Sequence, residues 1–266
     1  MKKPSPKTAS VSRVETLTPN MLRITLQSDA FTAFPNESIG GYIKLLFNEE
    51  GGTDVAGLSM DNRPKMRTYT IRRLDQQAGE VDVDFVTHVT EDKLCGFGAR
   101  WAMAAQVGDT ISIVGPGTLQ EVDTEKDWFF FNADMTALPA LTVKLSLLPS
   151  SAKGYAVVQL EDMADKQDIE VPKGIDVIWT TGSLSDKAKT LSWLEGEPFV
   201  WCASEFDEMR ALRQYFRNEK EIPRQDIYIS SYWKRGVSED GHKAIKNKIM
   251  MILSWLNYYW RNHWVD

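Results

Sequence analysis

The chain has 266 residues, enough for one large domain or two ordinary ones with a substantial core. Its 42% hydrophobic and 26% charged residues are globular values and exclude a disordered or collagen-like chain. A formal net charge of −6 excludes a broadly nucleic-acid-binding surface, because a large anionic partner would need a local basic patch.

Residues 11–120 read mainly as strands, at 11–17, 21–28, 41–47, 67–74, 80–89 and 109–114. Turn residues separate them, among them Pro19-Asn20, Gly40-Gly41, Gly51-Gly52, Gly79 and Gly108-Asp109. In 81–86, Val81-Asp82-Val83-Asp84 alternates and then turns apolar at Phe85-Val86, as in a strand entering a core. Six strands and one short helix near 99–106 predict a small antiparallel barrel. After Gly117 the period changes. Trp128-Phe129-Phe130-Phe131 is a continuous apolar run, expected of a strand buried on both faces. A helix at 137–148 follows, then strands at 154–160 and 175–180 and a helix at 186–195. A strand at 198–203, a helix at 206–219 and a strand at 226–230 complete the series. This alternation predicts a parallel-sheet α/β domain, with the boundary in the polar stretch 118–126. A long helix is expected over 238–260, with Ile245, Ile249, Ile252, Leu253, Leu256 and Trp260 as an apolar stripe. Ser238, Glu239 and Asp240 would cap it. Its aromatic end suits packing on the body of the protein, a lid over a flat cofactor or a dimer contact.

Cys95 and Cys202 are far apart, and three scattered histidines make no metal-ligand pattern, so neither a disulfide framework nor a protein-bound metal is expected. The N-terminus has charge but no apolar stretch of signal-peptide type, and no apolar run reaches membrane-spanning length. A cytoplasmic monomer that binds neither nucleic acid nor membrane is the expectation.

The run Arg67-Thr68-Tyr69-Thr70-Ile71-Arg72 places a cation, a flat aromatic and a hydroxyl on one short strand. Alternate side chains share a face, so Arg67 and Tyr69 point the same way. That is an inventory for a flavin nucleotide: Arg67 for a phosphate, Tyr69 for the ring, Thr70 for the edge near N5. It also suits an ordinary half-buried strand with exposed arginines. Gly96-Phe97-Gly98-Ala99 precedes a short helix, where small residues and first-turn N–H groups favour a phosphate or simply start the helix. His88 either hydrogen-bonds flavin or ribose or is a satisfied core residue. Asp134-Met135-Thr136-Ala137-Leu138-Pro139 sits where the first parallel strand turns into its helix, the edge at which open α/β sheets bind nucleotides, without a Gly-x-Gly-x-x-Gly loop.

A barrel carrying Arg-x-Tyr-Thr-x-Arg ahead of an α/β domain resembles the ferredoxin reductase-like superfamily. Phe85-Val86-Thr87-His88, Gly96-Phe97-Gly98-Ala99-Arg100-Trp101-Ala102, Asp134-Met135-Thr136-Ala137-Leu138-Pro139-Ala140 and Ser231-Tyr232-Trp233-Lys234-Arg235-Gly236 with Glu239-Asp240-Gly241-His242 follow in order. Together they resemble the siderophore-interacting proteins, FAD-dependent ferric-siderophore reductases. Phe97 and Ala99 stand where that family has proline and serine, so backbone contacts must serve the phosphate; Ala133, Met135 and Ser204 stand where glycine, glutamate and glycine are usual.

The resemblance implies a two-domain fold, β plus α/β: a six-stranded antiparallel FAD-binding barrel at 1–120, then an NAD(P)H-binding parallel-sheet domain at 121–266 with the C-terminal helix. It implies FAD contacts at Arg67, Tyr69, Thr70, Asp84, Phe85, Val86, His88, Gly96, Gly98, Ala99, Arg100, Thr136, Ala137 and Leu138. Nicotinamide would meet Thr136, Ser204 and Glu205. An anionic ferric siderophore would meet Lys44, Arg100, Lys234 and Arg235. No side chain acts as an acid or base, because electrons pass from NADH or NADPH through the flavin to Fe(III), releasing Fe(II). An electron-transfer reductase with a ferredoxin or flavodoxin partner, or a non-enzymatic siderophore- or flavin-binding module, are the alternatives.

Overall fold

The structure, a computed structural model, describes residues 5–57, 63–87, 96–118, 121–237 and 241. His88 and, apart from residue 241, the expected helix at 238–260 lie outside them.

The first half is one antiparallel sheet of seven strands: β1 (Lys7–Thr18), β2 (Met21–Gln27), β3 (Tyr42–Phe47), β4 (Lys65–Thr70), β5 (Arg73–Asp75), β6 (Glu80–Val86) and β7 (Thr110–Gly117). Their order is β4-β3-β7-β1-β2-β6-β5. Helix α1 (Phe97–Ala104) sits between β6 and β7. The expected six strands become seven because the run 67–74 is broken. Ile71 still bonds toward the β3 side, donating to Gly41 O at 2.9 Å, whereas the next amide, Arg72, donates to Asp82 O on β6 at 2.9 Å. One stretch of chain thus lies at both edges of the sheet and draws it into a barrel.

The alternation of β6 decides which side chains fill that barrel. Val81, Val83 and Phe85 are fully buried in the core with Ile24, Leu45 and Ile113. Asp82 and Asp84 face the other way into a ladder of cross-strand partners. Arg23 grips Asp84 with two bonds of 2.7 and 2.8 Å, and Arg73 Nε and Thr25 Oγ1 each reach Asp82 at 2.8 Å.

The second half holds β8 (Trp128–Asp134), α2 (Leu138–Ser146), β9 (Lys153–Gln159), β10 (Gly174–Thr180), α3 (Leu184–Lys189), β11 (Pro198–Glu205), α4 (Phe206–Arg213) and β12 (Ile227–Trp233). All five strands are parallel, in the order β10-β9-β8-β11-β12. The apolar run of β8 is explained by two cores. Phe129 and Phe131 meet Leu138, Leu141 and Leu145 of α2 on one face. Trp128 and Phe130 meet Leu184 of α3, Leu212 of α4 and Phe216 on the other.

Two helices differ from expectation. The helix expected over 186–195 ends at Lys189, and Trp193 instead packs edge-on against Trp128, ring centroids 4.8 Å apart. The helix expected over 206–219 is α-helical only to Arg213 and finishes as a π-helical turn, Gln214–Glu219. No helix of the described residues is long and apolar enough to cross a membrane.

Candidate functional site

A cleft of about 970 Å³ lies between the barrel and the carboxyl ends of the parallel strands. Its position follows from topology. The chain leaves β8 toward β9 and β10 on one side, then returns to β11 and β12 on the other, and such a reversal opens a crevice at the strand ends.

The barrel wall is built by β4, the end of β6 and the loop into α1. Arg67 is buried, its guanidinium 5.0 Å from the centroid of the Phe97 ring and its Nη1 donating to Met66 O at 3.0 Å. Phe97, the departure at the expected proline, packs in turn against Phe47 at 6.1 Å and so seats the cation beside the loop. Gly96 has φ of 71°, the left-handed conformation that lets the chain turn into α1. Gly98 leaves room for Tyr69, since a Cβ there would collide with the Tyr69 hydroxyl and ring. The other side of Tyr69 meets Phe85, centroids 4.3 Å apart. These features fit a flavin nucleotide. The Gly96–Ala99 backbone opens on the cleft at the N-terminus of α1 with Arg67 at its side, while Tyr69 and Thr70 line the same wall.

The opposite wall is organised by Asp134, at the end of β8. Its Oδ1 accepts from Thr136 N at 2.9 Å, Thr136 Oγ1 at 2.6 Å and Ala137 N at 3.3 Å. Its Oδ2 accepts from Glu205 N at 2.7 Å and Trp233 Nε1 at 2.7 Å. One carboxylate therefore ties together the ends of β8, β11 and β12. Burial pushes its carboxyl above the ordinary value, opposed by these donors. Glu205 is similarly committed: Oε2 accepts from Asp207 N, capping α4, and Oε1 accepts from Arg235 N at 3.1 Å. Lys234 Nζ lies 3.6 Å from Asp207 Oδ2 and 4.4 Å from the Phe206 ring centroid.

The cleft brings together Arg67, Tyr69, Thr70, Asp84, Val86, Gly96, Gly98, Ala99, Thr136, Glu205, Lys234 and Arg235. Phe85, Ala137, Leu138 and Ser204 are buried to 1% exposure or less and support the walls from behind. Asp84, although at the rim, is held by Arg23. Arg100 lines a separate hollow with Glu50, Gly51, Gly52, Thr53, Phe97 and Trp101. Lys44 does not line the cleft; its Nζ lies 5.6 Å from the Tyr42 ring centroid. Gln159, Glu161 and Ser185 also line the wall and carry no local motif; their place at strand and helix ends follows only from the sheet order. Among the described residues, no group of three or more His, Cys, Asp or Glu side chains is placed to hold a metal ion.

Residues 10–120 match the siderophore-interacting FAD-binding domain, and residues 126–236 match the siderophore-interacting protein family. The chain is 29% identical over 262 residues to the ferric vibriobactin reductase ViuB of Vibrio cholerae, covering 92% of this chain and 95% of that protein. It is 30% identical over 264 residues to a protein of Mycobacterium bovis, covering 88% and 92%. The crystal structure of the siderophore-interacting protein SipS from Aeromonas hydrophila superposes with a TM-score of 0.79 at 27% identity, covering 93% of this chain and 98% of that one. A barrel that fits FAD, a parallel sheet meeting it across one cleft, and likeness along nearly the whole chain make this protein a member of the siderophore-interacting protein family.

Proposed function

We propose that the protein is a ferric-siderophore reductase, taking electrons from NADH or NADPH and delivering them to a ferric siderophore. The observation that carries this reading is the shared cleft, in which the Arg67, Tyr69 and Gly96–Ala99 wall faces the carboxyl ends of β8, β11 and β12. The Vibrio cholerae relative, a ferric vibriobactin reductase, supports it. When bound, FAD supplies the conversion between a two-electron hydride donor and a one-electron ferric acceptor. One NAD(P)H and two ferric chelates then give NAD(P)⁺, one proton and two ferrous ions.

The side chains bind and orient. Arg67 and the first-turn amides of α1 would hold the flavin phosphates, Tyr69 would support the ring, and Thr70 would offer its hydroxyl to the reactive edge. Asp134 fixes Thr136, Glu205 and Trp233 so that the nicotinamide meets a preformed wall. Lys234 and Arg235 supply positive charge for an anionic chelate in a protein that is acidic overall. Weaker ferrous binding by hard oxygen ligands then frees the metal. The FAD-binding unit is residues 1–120 and the NAD(P)H-binding unit 121–266, working as a cytoplasmic monomer.

An anaerobic absorbance experiment tests this. FAD-loaded protein should show a flavin spectrum that NADH or NADPH bleaches, and a ferric catecholate or hydroxamate should restore it while a ferrous trap fills. Failure to take up FAD, or bleaching with no ferrous release from any chelate, would reject the assignment.

A further inference from the structure

Asp165 belongs to the parallel-sheet half, yet its carboxylate is filled by donors from the barrel. Oδ1 accepts from Thr18 Oγ1 and from Asn20 N, each at 2.8 Å, and Oδ2 accepts from Asn20 Nδ2 at 2.8 Å. Asp165 is 0% exposed. It closes the short 3-10 turn Met163–Asp165, which is capped by Asp162 and follows β9. The end of that strand, with Gln159 and Glu161, lines the nucleotide side of the cleft.

Asn20 also faces the flavin side. Its carbonyl accepts from Thr87 N at 3.1 Å, directly after β6, whose Asp84 and Val86 line the barrel wall. Met21 pairs with Val86 in the sheet and inserts its side chain into the α/β core. A continuous set of directional bonds therefore runs from one cleft wall to the other: the end of β6, Asn20, Asp165 and the turn after β9. Apolar contacts beside it, such as Met21 and Leu17, favour closeness but not register. The buried carboxylate with three donors supplies register, because sliding would leave it unpaired.

We propose that Asn20 and Asp165 are positioning residues that set the separation of the flavin and nicotinamide walls, and through it the rate of flavin reduction. This rests on the proposed function. Hydride transfer needs reacting atoms roughly 3–3.5 Å apart, and a misplacement of about 1 Å can cost on the order of a hundredfold. FAD binding draws on the barrel side, and electron transfer to a chelate held near Lys234 and Arg235 forms no bond, so it tolerates a change in wall separation that hydride transfer does not. The pair therefore acts on one half-reaction.

The test uses full-length, FAD-loaded protein in anaerobic stopped flow. Asn20→Asp, which opposes two carboxylates, is expected to slow flavin reduction by NADH or NADPH at least about tenfold. Adding Asp165→Asn returns one carboxylate and one amide to the pair and is expected to recover the rate to within about threefold. Thr18→Val, removing one donor of the same shape, should fall between. FAD affinity and the reoxidation of photoreduced flavin by a ferric catecholate should stay within about twofold throughout. Hydrogen exchange of the Thr87 amide in the apoprotein should rise in Asn20→Asp and return in the double variant. Equal loss in both half-reactions, no slowing in Asn20→Asp and Thr18→Val, or no recovery in the double variant would overturn the inference and leave the reductase assignment standing. A wild-type flavin that neither nucleotide reduces would overturn the inference together with the proposed electron donor.

Discussion

Trp233 Nε1 and Asp134 Oδ2, 99 positions apart in sequence, are joined by a 2.7 Å hydrogen bond at the edge where the nicotinamide would sit. The Asp134 carboxylate is buried and takes four other donors, three on Oδ1 and one on Oδ2, so the bond is part of a filled shell rather than a surface contact. Trp233→Phe keeps an aromatic ring, a smaller one, and removes the donor. It should destabilise the protein by about 1–3 kcal/mol, seen as a lower urea midpoint. It should also raise the KM for NADH or NADPH while FAD content stays the same.

Arg67→Ala takes the cation from the α1 loop and leaves Phe97 without its stacked partner. FAD affinity should fall about tenfold or more, as expected for loss of a charge-assisted phosphate contact of roughly 1.5–3 kcal/mol. Titration of apoprotein with FAD, followed by flavin fluorescence, reads this directly. An unchanged dissociation constant would remove Arg67 from the phosphate site.

Gly98→Ala is the smallest change that should damage the barrel wall. The added methyl meets the Tyr69 hydroxyl and ring, and Tyr69 has Phe85 behind it. The ring must swing into the cleft or the loop must lift. Either shift should lower FAD affinity and the melting temperature together, at a cost of about 1–3 kcal/mol.

Lys144 gives a pH signature. It is a buried residue of α2, its ammonium 5.7 Å from the Trp201 ring centroid, and burial pushes it down from 10.5 to about 8. Between those two values the unfolded chain binds more protons than the folded one, so stability rises with pH through that window. The rise should be on the order of 2 kcal/mol between pH 8 and 10. Lys144→Met should flatten it, which urea unfolding across that range would detect.

Much of the fold was legible because its strands carry strong periodic signals. The alternation Val81, Val83, Phe85 even places Phe85 in the barrel core, although its motif position suggested a cofactor contact. The break at Ile71–Arg72 was not legible, because β-forming residues continue through it and only the change of bonding partner from Gly41 to Asp82 ends the strand. Trp193 left its expected helix for a place against Trp128, a tertiary gain that helix propensity does not register. For the site, the motifs carried Arg67, Gly98, Asp134 and Trp233 separately. That the last two touch, and that Asp165 reaches Asn20 from 145 positions away, is long-range pairing with no local pattern.

Met21, the first residue of β2, sends its side chain out of the barrel into a core made of Phe129, Phe131, Leu141, Trp201 and their neighbours. The last barrel strand ends at Gly117, before any of those residues has been synthesised. A chain emerging from the ribosome therefore completes its flavin-binding half with an apolar side still bare, waiting for the sheet that will cover it. The later half is thus the cap for the earlier one. A fragment ending near residue 118 should be prone to self-association even though all seven of its strands are present.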